Sequence, residues 1–310
     1  MRKRWLWGLP LLMLLCWGVF AVVKSRQETA QLNSISRKQA PGQFIQLTHG
    51  LVHYQFFGAD TGRLLVLIHG GGTTGMEVWK YNIPFLISKG YRILAYDLYG
   101  RGYSDRPDVV YDLSLYREQL VSLLQTLGIS GQFDVIAMSM GAAIGLDYVT
   151  HYPSRARHIV LLGPAASGDL QPSKLLRVPL ISDVLMTCYW YPRSVENQRK
   201  EFVNQQLFNQ YAERLKYFMN FEGYKRLTLS TWKNMLNQNQ LYLLKDIPPN
   251  RILMIYGLQD PFFSNEKEHT YKSLYPTLVV NQVDSAGHMP HYEQPASVNN
   301  LIWQYLRETK

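Results

Sequence analysis

Hydrophobic residues recur along this chain in short, unbroken runs that are separated by amphipathic stretches. An aliphatic run of about five residues is typical of a strand that is covered on both faces. The runs predict strands at 64–68, 92–96, 133–137, 158–162 and 252–256. Helical periodicity lies between them, at roughly 76–89, 114–128 and 140–152. This alternation predicts an α/β fold with a mainly parallel, doubly wound sheet that has helices on both faces.

The ends of this pattern predict further elements. Two β-like segments near 44–49 and 51–58 predict an antiparallel start of the sheet. After Gly163 and Pro164 the alternation stops, and residues 166–245 have helical character and many aromatic side chains. The sheet pattern resumes at Arg251. A segment that leaves a sheet and then re-enters it predicts an inserted helical lid.

The amino terminus holds the longest uncharged segment. Arg2, Lys3 and Arg4 precede residues 5–23, which carry no charge. As a helix, this segment would extend for about 28 Å, close to the thickness of a bilayer core. Basic residues before it favour a cytoplasmic N-terminus. We therefore expect a single-pass transmembrane helix that contacts membrane lipid, with the catalytic body outside the cytoplasm. A cleaved signal peptide, which would give a secreted protein, is the alternative.

These segments predict five parts of the chain. They are a membrane anchor or signal segment at 1–26, a linker at 27–43, the first part of the α/β core at 44–165, the helical lid at 166–245 and the second part of the core at 246–310. Only the two core parts are expected to share one sheet.

Composition narrows the classes of function. Hydrophobic residues make up 46% of the chain and charged residues 18%, which excludes a disordered protein. The net charge is +9, but residues 1–40 hold seven of the 32 basic residues and only one acid, Glu28. The remaining chain is nearly balanced, so no nucleic-acid partner is expected. Cys16 and Cys188 suggest neither a disulfide framework nor a metal site, and no cofactor is expected.

The segment Ala-Met-Ser-Met-Gly at 137–141 lies between a predicted buried strand and a predicted helix. It nearly matches G-x-S-x-G, the sharp strand-to-helix turn that projects a serine hydroxyl above a sheet. Such patterns also occur by chance in helices. In this context, however, the turn would expose Ser139 and direct the N–H of Met140 toward a developing oxyanion.

A second glycine-rich segment supports this interpretation. His69 and three glycines follow the strand at 64–68, where a loop should cross above the edge of the sheet. Glycines there allow a backbone N–H to approach a substrate closely. Gly71 and Met140 are therefore the expected oxyanion-hole donors. A phosphate-binding loop is the competing interpretation, but no Lys-Ser or Lys-Thr pair follows the glycines.

A serine nucleophile requires a base and an acid that orients the base. Asp260 follows the strand at 252–256, and His288 follows the short run at 278–280. Both should lie at the carboxyl ends of the strands, on the same edge as Ser139. The order of Ser139, Asp260 and His288 along the chain is the one expected for this architecture.

Other residues compete for these two roles. His69 and His291 are alternative bases, although a histidine at a strand end more often packs and forms hydrogen bonds than catalyses. Asp169 and Asp284 are alternative acids. We favour His288 and Asp260 because both lie where loops leave the carboxyl ends of strands and because their order after Ser139 is the one expected for this architecture.

Together these motifs resemble the α/β-hydrolase superfamily, in its lid-bearing serine hydrolase branch. They are HGGGTTG at 69–75, AYDLYGRGYSDRP at 95–107, AMSMG at 137–141, YGLQDP at 256–261 and GHMPHYEQP at 287–295. The resemblance implies Ser139 as nucleophile, His288 as base and Asp260 as its orienting acid. It also implies Gly71 and Met140 as the oxyanion hole. Ala137 departs from the usual glycine.

The resemblance and the aromatic lid favour a membrane-anchored esterase or lipase. Such an enzyme would cleave small, apolar carboxylic esters through an acyl-enzyme. Ser139 argues against dehalogenases and epoxide hydrolases of this fold, which use an aspartate nucleophile. Carbon–carbon hydrolases, which share the HGGG and Ser-Met-Gly motifs, remain an alternative. So do aminopeptidases of this fold and a non-catalytic member that binds a ligand.

Overall fold

The aliphatic runs of the sequence form one β-sheet. The structure is a computed structural model that describes residues 8–168 and 170–308. Within these ranges the strands of the sheet are β1 (Gln43–Leu47), β2 (Gly50–Phe57), β3 (Arg63–Ile68), β4 (Tyr91–Tyr96), β5 (Phe133–Met138), β6 (Ala156–Leu162), β7 (Ile252–Gly257) and β8 (Val279–Val283). The five predicted inner strands agree with β3 to β7 to within two residues at each end.

The spatial order of the strands is β1-β2-β4-β3-β5-β6-β7-β8. β1 pairs with β2, and β2 with β4, in antiparallel fashion, whereas the pairs from β4 to β8 are parallel. Every residue of β5 and β7 is buried, as expected for strands that are covered on both faces. The predicted α/β fold with a mainly parallel sheet is confirmed.

Helices cover the sheet and follow most of its strands. The helices are α1 (Gly8–Ser25), α2 (Ile83–Ser88), α3 (Leu113–Thr126), α4 (Met140–His151), α5 (Pro179–Leu185), α6 (Tyr191–Arg199), α7 (Gln205–Met219), α8 (Tyr224–Thr231), α9 (Asn265–Leu274), α10 (Pro290–Glu293) and α11 (Pro295–Glu308). α3 and α4 contribute to the core on one face of the sheet, and α2 and α11 to the core on the other.

The predicted helix at 76–89 is two separate elements. A 3₁₀ helix at Gly75–Trp79 precedes α2. Pro84 lies in the first turn of α2, where its missing N–H disrupts no helical hydrogen bond, and this favours a new helix start there. The periodicity of the apolar residues continues across the break, which is why the sequence predicted one helix.

The segment between β6 and β7, which we call the helical insertion (residues 163–251), carries α5 to α8. Its longest helix, α7, buries Phe208, Tyr211, Leu215 and Phe218, which recur at the spacing of one helix face. The insertion reaches the carboxyl ends of the strands, because Glu201 accepts a hydrogen bond there from the N–H of His288 at 2.8 Å. Its assignment as a lid with bounds 166–245 stays a prediction.

The predicted membrane topology is wrong. Across residues 8–168 and 170–308, no helix is long and apolar enough to cross a membrane. α1 ends at Ser25. Its end contacts the helical insertion, where Lys24 pairs with Asp183 at 2.5 Å. The transmembrane helix, its lipid contact and the extracytoplasmic body therefore have no support. The basic residues at 2–4 lie outside the described residues.

The predicted linker at 27–43 lies against the helical insertion. Ala30 exchanges backbone hydrogen bonds with Asn220 at 3.0 Å and Glu222 at 2.8 Å. Glu28 forms an ion pair with Lys225 at 3.3 Å, and both side chains are largely buried. This docking could not be read from the sequence, because polar residues of low aromatic content are equally typical of a free tether.

A buried ion-pair network closes the amino-terminal edge of the sheet. Asp134 on β5 is fully buried and accepts two hydrogen bonds from Arg63, at 2.6 and 2.9 Å. Arg157 and His158 also contact it, at 3.2 and 3.0 Å. Burial alone would raise the pKa of the Asp134 carboxyl, but His158 and Arg63 outweigh it and the pKa is lowered. This carboxylate therefore stabilises the fold in its charged form.

We expect Asp134→Asn to lower the free energy of unfolding by about 3 kcal/mol, because it leaves a partly buried cationic cluster without its counter-charge. Urea denaturation monitored by circular dichroism measures this loss. Asp60→Asn is the control: its carboxylate is 88% exposed and pairs with Arg92 at 3.0 Å, so the change should cost less than about 1 kcal/mol. Equal stabilities of the two variants would contradict the structural role of Asp134.

Candidate active site

Ser139 occupies a tight turn between β5 and α4. Its backbone has φ 52° and ψ −121°, in a region that residues other than glycine rarely adopt. The turn brings Gly141 against the loop after β3, since a Cβ on Gly141 would lie 2.4 Å from the carbonyl oxygen of His69. Only glycine fits there. Ala137 is fully buried within β5, so alanine is accommodated at this position.

The structure brings Ser139, His288 and Asp260 together. The Ser139 hydroxyl lies 2.8 Å from Nε2 of His288, and Nδ1 of the same ring lies 2.8 Å from Oδ2 of Asp260. All three follow strands of the sheet, β5, β7 and β8, at their carboxyl ends. Residues that are 149 positions apart in sequence thus form one continuous chain of hydrogen bonds.

The charges around His288 favour its protonated form. Burial lowers the pKa of the imidazole, but the carboxylates of Asp260 and Glu201 outweigh burial and raise the pKa above its usual value. Lys267 acts in the opposite direction. An imidazole in this setting can accept a proton from Ser139 and is stabilised once it carries the positive charge.

Neither competing histidine forms a hydrogen bond with the Ser139 hydroxyl, which pairs with His288. His69 donates from Nδ1 to the carbonyl of Gly70 at 2.8 Å and accepts at Nε2 from the N–H of Leu98 at 3.0 Å. Burial lowers the pKa of His69 to about 4, which keeps it neutral. His291 is buried against Trp79, with ring centroids 4.6 Å apart, and burial lowers its pKa to about 3. Both are therefore neutral residues of the interior near neutral pH.

Of the candidate acids, Asp260 is the one at the site. Its Oδ1 accepts a hydrogen bond from the N–H of Phe262 at 2.8 Å, which fixes the carboxylate toward His288. Asp284 is exposed on the surface. Asp169 lies outside the described residues.

The two expected oxyanion donors lie beside the nucleophile. Gly71 and Met140 both line the cavity that contains Ser139 and His288. The loop at 69–72 packs tightly on the turn, because a Cβ on Gly70 would lie 3.0 Å from Cβ of Ser139. This arrangement can offer backbone N–H groups from two elements to one oxygen atom. The role of these N–H groups stays a prediction.

A cavity of 630 Å³ separates Ser139 from the helical insertion. Its walls are mostly apolar, and they include Trp190, Leu215, Trp232, Phe262 and Met289. Among the described residues, four charged side chains also line it: Arg101, Lys200, Glu201 and Lys267. Among the described residues, no group of three or more His, Cys, Asp or Glu side chains could hold a metal ion.

Glu293, which was not among the candidate residues, joins the His288 loop to the helical insertion. Its carboxylate accepts from the N–H of Gly287 at 2.7 Å, and also from Val203 at 2.8 Å and Asn204 at 2.6 Å. The side chain is buried. The signal was available, since Glu293 is part of the motif at 287–295, but the motif does not indicate what this carboxylate binds.

The second missed residue is Glu201, in the helical insertion. Its backbone oxygen accepts the N–H of His288 at 2.8 Å, and its carboxyl accepts a long hydrogen bond of 3.4 Å from Gln198. Burial raises the pKa of the carboxyl to about 7, although His288 opposes the shift. A glutamate in a helical segment is usually exposed, so nothing in the sequence pattern places Glu201 at the site.

Several known proteins with similar sequences are hydrolases. A 2-hydroxymuconate semialdehyde hydrolase from a Pseudomonas species is 24% identical over 264 residues, which cover 81% of this chain and 89% of the relative. A 2-hydroxy-6-oxononadienedioate/2-hydroxy-6-oxononatrienedioate hydrolase from Burkholderia vietnamiensis is 26% identical, over 83% of this chain and 91% of the relative.

A solved structure gives the same fold. A meta-cleavage product hydrolase from Pseudomonas fluorescens superposes with a TM-score of 0.70 at 21% identity, covering 87% of this chain and 98% of that one. At this identity the likeness shows the fold alone.

These relatives contradict the expected main function. The sequence motifs favoured a membrane-anchored enzyme for carboxylic esters. The two sequence relatives are instead carbon–carbon hydrolases, the class that the same motifs left open as an alternative. The error has a chemical cause. A serine with its histidine and an oxyanion hole attacks the carbonyl of an ester and that of a ketone alike, so the motifs do not tell the two apart. The Alpha/beta hydrolase family matches residues 65–301, most of the chain, and this protein belongs to that family of hydrolases.

Proposed function

We propose that this protein hydrolyses a carbon–carbon bond beside a ketone in an unsaturated 2-hydroxy-6-oxo acid. The observation that carries the proposal is the chain of hydrogen bonds from Ser139 through His288 to Asp260, in steps of 2.8 Å, at the wall of a cavity beneath the helical insertion. The substrate class comes from the relatives, whose names describe hydrolases of such acids and of ring-cleavage products.

The substrate must first acquire a stabilised leaving group, because a simple carbanion leaves poorly. Transfer of the 2-hydroxyl proton to C5 converts the dienol into a 2,6-dioxo acid with a double bond between C3 and C4. Cleavage between C5 and C6 then sends the electron pair from C5 through that double bond to the C2 carbonyl oxygen. The products are a 2-hydroxypenta-2,4-dienoate and a carboxylic acid, with one water consumed.

The residues of the site suit this sequence of steps. His288 accepts the proton of Ser139 as the hydroxyl attacks the C6 carbonyl, and Asp260 stabilises the imidazolium. The N–H groups of Gly71 and Met140 stabilise the oxyanion, and each such donor contributes about 3 kcal/mol to catalysis. After the C5–C6 bond breaks, His288 returns the proton to the leaving fragment. It then activates a water that hydrolyses the acyl group on Ser139.

A cavity lined largely by apolar side chains supports the same proposal. A conjugated acid of this size has a planar apolar body with polar ends. Aromatic walls such as those formed by Trp190 and Trp232 can contact that body, while polar groups orient the ends. Exclusion of water by the helical insertion also protects the acyl group until the leaving fragment has been protonated.

We expect Ser139→Ala to slow cleavage of a 6-phenyl-2-hydroxy-6-oxohexa-2,4-dienoate by at least about 10³-fold, because it removes the nucleophile and leaves the rest of the site intact. Loss of the dienol absorbance and formation of benzoate, detected by mass spectrometry, measure the reaction. Ser88→Ala is the control, since this hydroxyl bonds Phe85 on the surface at 2.6 Å. The proposal fails if the wild type leaves the dienoate intact or if Ser139→Ala cleaves it at the wild-type rate.

The pH dependence gives a second prediction. Ser139 is activated only when His288 is neutral, so its reaction with a fluorophosphonate should rise with pH through the raised pKa of His288. The Glu201 carboxylate raises this pKa. Glu201→Gln should therefore shift the rising part of the plot of labelling rate against pH to lower pH, by roughly half a pH unit.

The control for this shift is Glu196→Gln, which removes an exposed carboxylate paired with Arg199 at 2.9 Å. It should leave the rising part of the plot in place. Glu201→Gln keeps the backbone oxygen that accepts the N–H of His288. We therefore expect the variant to fold, so that a change in the pH profile reports the lost charge. A rising part that stays fixed or moves to higher pH in Glu201→Gln would rule out this electrostatic role.

A further inference from the structure

Arg101 lies in a loop whose conformation is fixed by Asp97. The loop follows β4, and both Gly100 and Gly102 have positive φ, at 85° and 49°. A Cβ on Gly102 would lie 2.1 Å from Oδ2 of Asp97. Asp97 also accepts the N–H groups of Met76 at 2.7 Å and Tyr103 at 2.9 Å. The residue between the two glycines therefore has little freedom, and its side chain lines the cavity beside Ser139.

The guanidinium of Arg101 is buried among neutral groups. Only 2% of the residue is exposed. Nε donates to the carbonyl of Gly71 at 3.1 Å, and the two terminal nitrogens donate to the hydroxyls of Tyr116 at 3.3 Å and Thr231 at 3.1 Å. A guanidinium carries more N–H donors than these three bonds use. Arg101 can therefore bind a further acceptor without giving up a partner.

No described carboxylate lies within 4 Å of Arg101 in the ranges 8–168 and 170–308. Arg63, by contrast, meets Asp134 with two of its nitrogens. A buried cation without a counter-charge is unfavourable, and proteins rarely keep one unless something else supplies the charge. A ligand that enters the cavity can supply it.

The other charges of the cavity also favour an anion. Within the described lining, Lys200 is a further cation and Glu201 is the one carboxyl. Burial makes the Glu201 carboxyl harder to ionise, with its pKa raised to about 7. Near neutral pH, Arg101 and Lys200 thus share the described lining with one carboxyl that is only partly ionised. The cation that is most deeply buried, Arg101, bonds the same residue whose N–H is the expected oxyanion donor, Gly71.

We propose that Arg101 determines substrate specificity by binding a carboxylate of the substrate through a charge-assisted hydrogen bond. This inference rests on the proposed function, because it assigns the acid group of a 2-hydroxy-6-oxo acid to Arg101 while the C6 carbonyl lies at Ser139. The carboxylate supplies the missing counter-charge, and the planar guanidinium matches its geometry. Arg101 also positions the Gly71 loop, so its substitution affects turnover in general, and the informative quantity is a ratio between two ligands.

The test compares two ligands that differ only in charge. The 6-phenyl dienoate and its C1 carboxamide have nearly the same shape, and their binding to the full chain carrying Ser139→Ala can be followed through the dienol absorbance. We expect the acid to bind about 30-fold or more tightly than the amide. Adding Arg101→Met should reduce this ratio to about threefold or less, and adding Arg101→Lys should retain part of it.

Arg106→Met provides the matched control. Arg106 lies in the same loop region and is partly buried. It donates to the carbonyls of Phe218 at 2.7 Å and Phe221 at 2.6 Å, outside the catalytic cavity. The ratio should be unchanged in this variant. If Arg101→Met fails to fold, the proposal is tested by the ratio of acid to amide affinity in Ser139→Ala alone and in Ser139→Ala combined with Arg101→Lys.

Three results would overturn the proposal. They are equal binding of acid and amide by Ser139→Ala, no binding of either ligand, and a preference for the acid that persists in Arg101→Met. Cleavage of the dienoate by the wild type is measured separately. If the protein binds the acid preferentially but does not cleave it, the proposed function is refuted and the anion site is retained. If it cleaves the dienoate but binds acid and amide equally, the anion site is refuted and the proposed function is retained.

Discussion

The turn that holds Ser139 between β5 and α4 constrains everything around the candidate site. Its positive φ is unfavourable for serine, and it persists because the surrounding backbone leaves no other conformation open. Gly141 approaches the carbonyl of His69 so closely that no side chain fits between them. The loop at 69–72 therefore lies beside the nucleophile, and the position of one hydroxyl fixes the position of the groups that would stabilise an oxyanion.

The helical insertion contributes contacts that hold residues of the site in place. The backbone of Glu201 accepts the N–H of His288, and the carboxylate of Glu293 bonds both the His288 loop and the start of α7. The histidine is consequently held from two sides, by Asp260 in the sheet domain and by the insertion.

The same arrangement of serine, histidine and aspartate can catalyse several reactions. The residues that line the cavity therefore determine which substrate binds. Attack on an ester and attack on a ketone both place negative charge on one oxygen near the same donors. What distinguishes the substrates is the character of the walls, which here combine aromatic surface with a buried guanidinium. The expectation of an apolar ester rested on the family resemblance and on the aromatic residues of the predicted lid. It took no account of Arg101, because the sequence of a glycine-flanked arginine does not indicate where its side chain lies.

The order and type of the central strands could be predicted from the sequence, because an aliphatic run of five residues is typical of a strand that is buried on both faces of a sheet. Ser139, Asp260 and His288 could be found for a related reason: each follows such a strand, and the carboxyl ends of parallel strands meet at one edge. The break before α2, the docking of residues 27–43, and Glu201 and Glu293 at the site could not be predicted. They depend on contacts between segments far apart in the chain, and burial, charge balance and pKa exist only once those segments have packed together.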